Sequence, residues 1–229
     1  VHETGSAPGQ PAQTDRRNPF ASATRVPGMP EGRGFNTRYS GDRVWEPIAM
    51  RSELLLLGGR SGVGKTTAAL ALHEILKADG LTHAVIEGDY LDLAEPAPHV
   101  AHPLARLAER NLAAMWANYR ELGYRRLILT NTASVLYAAE LAEAMGDDPR
   151  VVAVLLHADD ISTRARLGTR LIDRDLDAAT AASAGTAARL EADASEEVHR
   201  VNTNGRLPAD VASELRDLAG WTPQDDARG

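Results

Sequence analysis

Between Gly59 and Thr66 the chain sets three glycines, a lysine and a hydroxyl in the pattern GxxxxGK[ST], a spacing that specifies one chemistry. Gly59, Gly62 and Gly64 allow the backbone to curl until successive N–H groups converge on an anion. Lys65 then meets the outer phosphates of a nucleoside triphosphate, and the Thr66 hydroxyl holds Mg2+. Arg60, Ser61 and Val63 fill the variable positions, and Thr67 continues into the next element. The plain alternative is a glycine turn that only caps a helix. The context argues against it: the apolar run Leu54–Leu57 precedes the loop and an alanine-rich helical pattern follows, so strand, loop and helix come in the order a phosphate cradle needs.

Three further groups have types and spacings suited to chemistry on a phosphate. Glu87-Gly88-Asp89 closes the second apolar run. In a parallel sheet all strands open their carboxyl ends onto one rim, so Asp89 arrives beside the phosphate loop. A carboxylate there can receive or orient the proton of an attacking hydroxyl, while its plainer role is a helix cap. Arg166, Arg170 and Arg174 are four apart and share one side of any continuous helix, where guanidinium groups could reach over a triphosphate; Gly168 offers a bend. Arg106, Arg110, Asn111 and Trp116 lie on a helical stretch after Asp89 that would wall the acceptor, with Arg110 suited to an acceptor bearing phosphate or carboxylate.

The elements that must position these groups follow from periodicity. Strands are expected at Leu54–Leu57, His83–Glu87, Arg126–Thr130, Val151–Leu156 and Val198–Asn202. Helices are expected at Thr66–Ala78, Leu104–Leu122, Ser134–Met145, after Asp159 or Asp160 to about Ala194, and Pro208–Leu218. Leu104, Leu107, Ala108, Leu112, Met115 and Tyr119 form the apolar stripe of the second helix. Alternating strands and helices define an α/β fold with a parallel sheet covered on both faces. Residues 1–50 are rich in Pro, Gly, Ser and Thr and read as a disordered arm; 51–221 form the folded domain and 222–229 a flexible tail.

Composition narrows the function. A net charge of −7 disfavours nucleic-acid and anionic-membrane surfaces, and the absence of cysteine removes thiolate nucleophiles, disulfides and cysteine zinc sites. No apolar run approaches a membrane span, and Arg16-Arg17 is followed by no apolar secretion core, so a cytoplasmic location is expected. A homodimer stays open. A guanine-reading Asn-Lys-x-Asp motif is missing, which weighs against a switch GTPase. The third strand ends Leu129-Thr130-Asn131-Thr132 without a carboxylate, which weighs against a motor ATPase.

Taken together, Gly59–Thr66, Glu87-Gly88-Asp89 and Val201–Pro208 resemble the small P-loop kinases, such as adenylylsulfate kinase, gluconate kinase, shikimate kinase and chloramphenicol phosphotransferase. The resemblance implies a P-loop NTPase fold with a five-stranded sheet ordered 2-3-1-4-5 and a lid after strand four. It also implies that Asp89 faces the acceptor hydroxyl, that Glu87 is an acidic residue of the substrate site, and that Arg166 and Arg170 serve the lid. The turn at Asn204 and Gly205 would edge the adenine. The expected function is transfer of the γ-phosphate of ATP, with Mg2+, to a hydroxyl of a small molecule. The alternative is a nucleotide-binding regulatory or scaffold ATPase with no such acceptor.

Overall fold

A computed structural model describes residues 51–170 and 175–222. The expected arm over 1–50, the tail beyond Thr222 and lid positions 171–174, Arg174 among them, lie outside the described residues. The sheet comprises β1 (Glu53–Gly58), β2 (Ala84–Glu87), β3 (Arg126–Thr130), β4 (Arg150–His157) and β5 (His199–Asn202). All pairings are parallel and the order is β2-β3-β1-β4-β5, as expected from the resemblance. Helices are α1 (Lys65–Ala78), α2 (Pro98–Ala101), α3 (Leu107–Glu121), α4 (Ala138–Met145), α5 (Asp160–Gly168), α6 (Leu176–Asp193) and α7 (Pro208–Ala219).

Strand side chains alternate between two cores, as the pleat requires. Leu55, Leu57, Ile128, Val154, Leu156 and Val201 pack under α1 and α7 with Leu72, Leu76, Ala212 and Leu215. Leu54, Leu56, Leu127, Leu129 and Ile86 face the other way, against Leu112, Trp116, Leu141 and Met145 of α3 and α4. Four consecutive leucines in β1 therefore bury both faces of the central strand. The domain closes at Trp221, which is buried and donates through Nε1 to Glu53 Oε2 at 3.0 Å.

Two helices differ from expectation. The second begins at Leu107, because Pro103–Ala105 form a short 3-10 turn and Arg106 is left-handed at φ 45°. Leu104, assigned to the apolar stripe, is consequently 96% exposed. The third, expected over Ser134–Met145, is broken: Ser134–Leu136 make a 3-10 turn, Tyr137 leaves helical geometry at φ −121°, and α4 starts at Ala138. Trp116, considered as an acceptor wall, is core.

Candidate functional site

Register assembles the site. Glu87 on β2 pairs with Thr130 on β3, which pairs with Leu57 on β1, so the chain enters the Gly-rich loop beside both. Gly59 has φ 139°, and a Cβ there would come 2.7 Å from Leu156 O, so an L side chain is excluded by conformation and by space. α1 opens at Lys65 after the left-handed Gly64, directing its first N–H groups into the loop. The loop carbonyls are tied from behind. Arg60 is buried, with Nη1 donating to Asp160 Oδ1 at 2.6 Å and Nη2 to Ala158 O at 2.8 Å. Ser183 Oγ on α6 donates to Ser61 O at 2.9 Å. The Arg60 side chain is a brace, while its backbone belongs to the loop.

Lys65 is 8% exposed, and its Nζ donates to Gly59 O at 2.9 Å and Thr132 Oγ1 at 3.3 Å. Burial pushes its ammonium below the usual lysine pKa, against the opposing pull of Asp89 and Glu87; Arg170 pushes it down further. This lysine thus lies in the field of two carboxylates and one guanidinium. The same residues, with Ser61, Gly62, Gly64, Thr66 and Tyr90, line a cavity of about 270 Å³ above the loop.

Glu87 takes a place the sequence did not assign. Its Oε2 accepts from Thr66 Oγ1 at 2.6 Å and its Oε1 from Thr130 Oγ1. Read from the resemblance as part of the substrate site, it lines the loop cavity and is bonded to the residue expected to hold Mg2+. A hydroxyl and a carboxylate are hard oxygen donors of the kind Mg2+ takes, so the residues present fit that ion. Thr66 with Glu87 would hold it, the carboxylate coming from β2 rather than β3.

Asp89 sits on the 3-10 turn Gly88–Tyr90, and its Oδ1 accepts from Asn131 Nδ2 at 2.9 Å and Thr132 N at 3.0 Å. Gly88 is needed for this approach: a Cβ would stand 2.7 Å from Thr130 O. Beyond the turn opens a second cavity, of about 380 Å³, whose lining includes Gly88, Leu91, Asp92, Arg106, Leu129, Asn131, Ser134, Tyr137 and Leu141. Asn131 lines it and also holds Asp89, which itself lines the loop cavity, so the two cavities meet beside this pair. A third cavity, of about 390 Å³, shares Gly62, Gly64 and Arg170 with the first and runs between Thr67, Ala68, Arg166, Thr203, Arg206, Pro208 and Val211. The three lie along the rim, with room that would suit a base and sugar beside Thr203, phosphates over the loop and an acceptor next to Asn131.

Several expected residues lie elsewhere than the sequence placed them. Arg166 and Arg170 do not share a helix face, because α5 ends at Gly168 and leaves Arg170 beyond it. The Arg166 guanidinium is held by Val63 O at 2.8 Å, Thr203 Oγ1 at 3.0 Å and Thr203 O at 2.9 Å, beside the base-side cavity. Arg170 is the described lid arginine that faces the phosphate cavity. Arg110 does not line the acceptor cavity; it borders a separate hollow with Leu104, Glu109 and Glu143, while Arg106 lines both. Asn111, one residue on, ties α3 down through Nδ2 to Leu91 O at 2.5 Å. Asn204 and Gly205 form the turn after β5 without lining the base-side cavity: Asn204 Oδ1 accepts from Asp159 N at 3.0 Å, steadying the start of α5. Thr203 and Arg206, on either side, line it instead. An apolar-polar pattern has no signal for Thr203, whose bonds come from its neighbours' fold.

No protein-family model and no curated protein matches this chain. Solved structures do. The Deinococcus radiodurans tunicamycin resistance protein is similar at 22% identity and TM-score 0.52, over 75% of this chain and 98% of that one. A Bacteroides thetaiotaomicron shikimate kinase is similar at 15% identity and TM-score 0.51, over 74% and 99%. A sugar kinase from a Janibacter species is similar at 16% identity and TM-score 0.50, over 76% and 97%. The chain has the fold of the small P-loop kinases. Among the described residues no helix is long and apolar enough to cross a membrane.

Proposed function

We propose that the chain transfers the terminal phosphate of ATP to a hydroxyl of a small molecule. The observation that carries this reading is Asp89, a carboxylate lining the loop cavity and held by Thr132 and by Asn131, which lines the apolar cavity. The loop amides and Lys65 cradle the β- and γ-phosphates. Mg2+, held through Thr66 and Glu87, supplies neutralisation of phosphate charge when bound. Asp89, fixed through Oδ1, takes the acceptor hydroxyl's hydrogen bond on Oδ2 and receives its proton as the oxygen attacks phosphorus. Arg170 meets the charge that moves onto the transferring oxygens, and ADP leaves along the base-side cavity. Little covalent chemistry is asked of the protein, so most of the rate comes from holding the two substrates in line.

The test is Asp89→Asn. Transfer should fall about 100–10,000-fold, the range for losing a positioned base, with ATP affinity kept within threefold. A variant that turns over ATP as fast as the parent refutes the assignment and favours a nucleotide-dependent regulator, whose site reports occupancy alone.

A further inference from the structure

We infer that the acceptor is an alcohol with an apolar body and no negative charge. The inference rests on the phosphotransferase reading and deepens it. The apolar lining of the 380 Å³ cavity includes Leu91, Leu107, Ala108, Leu129 and Leu141; Leu91, Leu129 and Leu141 are buried, so that side of the cavity belongs to the packed core, while Leu107 and Ala108 are half-buried.

Charge decides the rest. The lining carries the carboxylates Asp92, Glu109 and Glu140 against a single arginine, Arg106. That guanidinium is committed: Nε meets Glu109 Oε1 at 3.2 Å and Nη2 meets Glu143 Oε2 at 3.7 Å. Arg110, the cation that would have suited an anionic acceptor, lines the neighbouring hollow and not this cavity. An acidic acceptor entering here would lose water, find no unengaged guanidinium among the described lining residues, and meet the carboxylates of Asp92 and Glu140 beside the paired Glu109. A neutral or cationic alcohol meets none of these costs. Asn131 and the buried Ser134, whose Oγ bonds Asn131 O at 3.2 Å, give the polar contacts that turn a hydroxyl toward Asp89.

Three probes of one shape test this: 4-(hydroxymethyl)benzyl alcohol, 4-(aminomethyl)benzyl alcohol and 4-(hydroxymethyl)benzoate. Binding to the full chain is read by saturation-transfer NMR with Mg-ADP present. The neutral and cationic probes should bind, with the carboxylate weaker by about tenfold or more. Ala108→Trp, which fills the cavity, should abolish binding while circular dichroism shows the fold intact; Glu140→Lys should narrow the gap between carboxylate and amine. Carboxylate affinity equal to or above that of the neutral probe overturns the inference, as does binding that Ala108→Trp leaves unchanged or no binding by any probe. The affinity order is independent of turnover: a chain that ranks the probes as expected but never transfers phosphate sinks the phosphotransferase reading instead.

Discussion

Glu87→Gln separates the metal from the acceptor. The parent carboxylate takes one hydroxyl on each oxygen, Thr66 on Oε2 and Thr130 on Oε1. Glutamine is the same shape and still accepts one of them, while its amide N–H meets the other, which can turn to accept. The fold should therefore lose about 1 kcal/mol or less, a typical net hydrogen-bond contribution. The effect on the ion is larger, since losing a carboxylate beside a metal-holding hydroxyl typically costs ~10–100-fold in metal affinity. The assay is ADP release at fixed ATP against Mg2+ concentration, with thermal melting alongside. The Mg2+ midpoint should rise by that factor, and high Mg2+ should restore most of the rate. An unchanged midpoint with a raised KM for the acceptor would refute this reasoning and return Glu87 to the substrate site.

Gly88→Ala places a methyl 2.7 Å from a sheet carbonyl, Thr130 O. Overpacking of this kind costs about 1–3 kcal/mol, so the melting temperature should fall by several degrees, and an unchanged value would contradict the close approach. Lys65 is held below the usual lysine pKa by burial, and a bound triphosphate favours its charged form. Nucleotide binding should therefore take up protons at alkaline pH, and affinity should fall as pH rises. Calorimetry in buffers of different ionisation heat reads the uptake, which Lys65→Met should remove; equal uptake in that variant would assign it elsewhere. Arg166→Ala removes three bonds to Val63 and Thr203 at the base-side cavity. It should raise KM for ATP more than it lowers kcat, and the reverse split would restore Arg166 to a role over the phosphates.

What was legible in the sequence is what short-range spacing encodes. The loop reads directly because every position from Gly59 to Thr66 is contiguous, and the strand positions read from apolar runs such as Leu54–Leu57. The role of Glu87 was not legible, since it depends on β2–β3 register bringing it beside Thr130 and on the loop bringing Thr66 above it. Arg110 and Arg106 could not be told apart without the helix phase, which the 3-10 turn at Pro103–Ala105 and the left-handed Arg106 reset. Spacing of four suggested a shared face for Arg166 and Arg170, but α5 ends between them. Contacts made across the fold, such as Arg166 with Val63, have no local pattern to read.

The most direct measurement is ADP release from Mg-ATP across a panel of small hydroxyl compounds, with Lys65→Ala as the blank. The account predicts that at least one compound stimulates release in the parent, that its phosphate ester is found by 31P NMR, and that the blank gives neither. Release that no hydroxyl compound alters, in a protein that binds ATP normally, would contradict it.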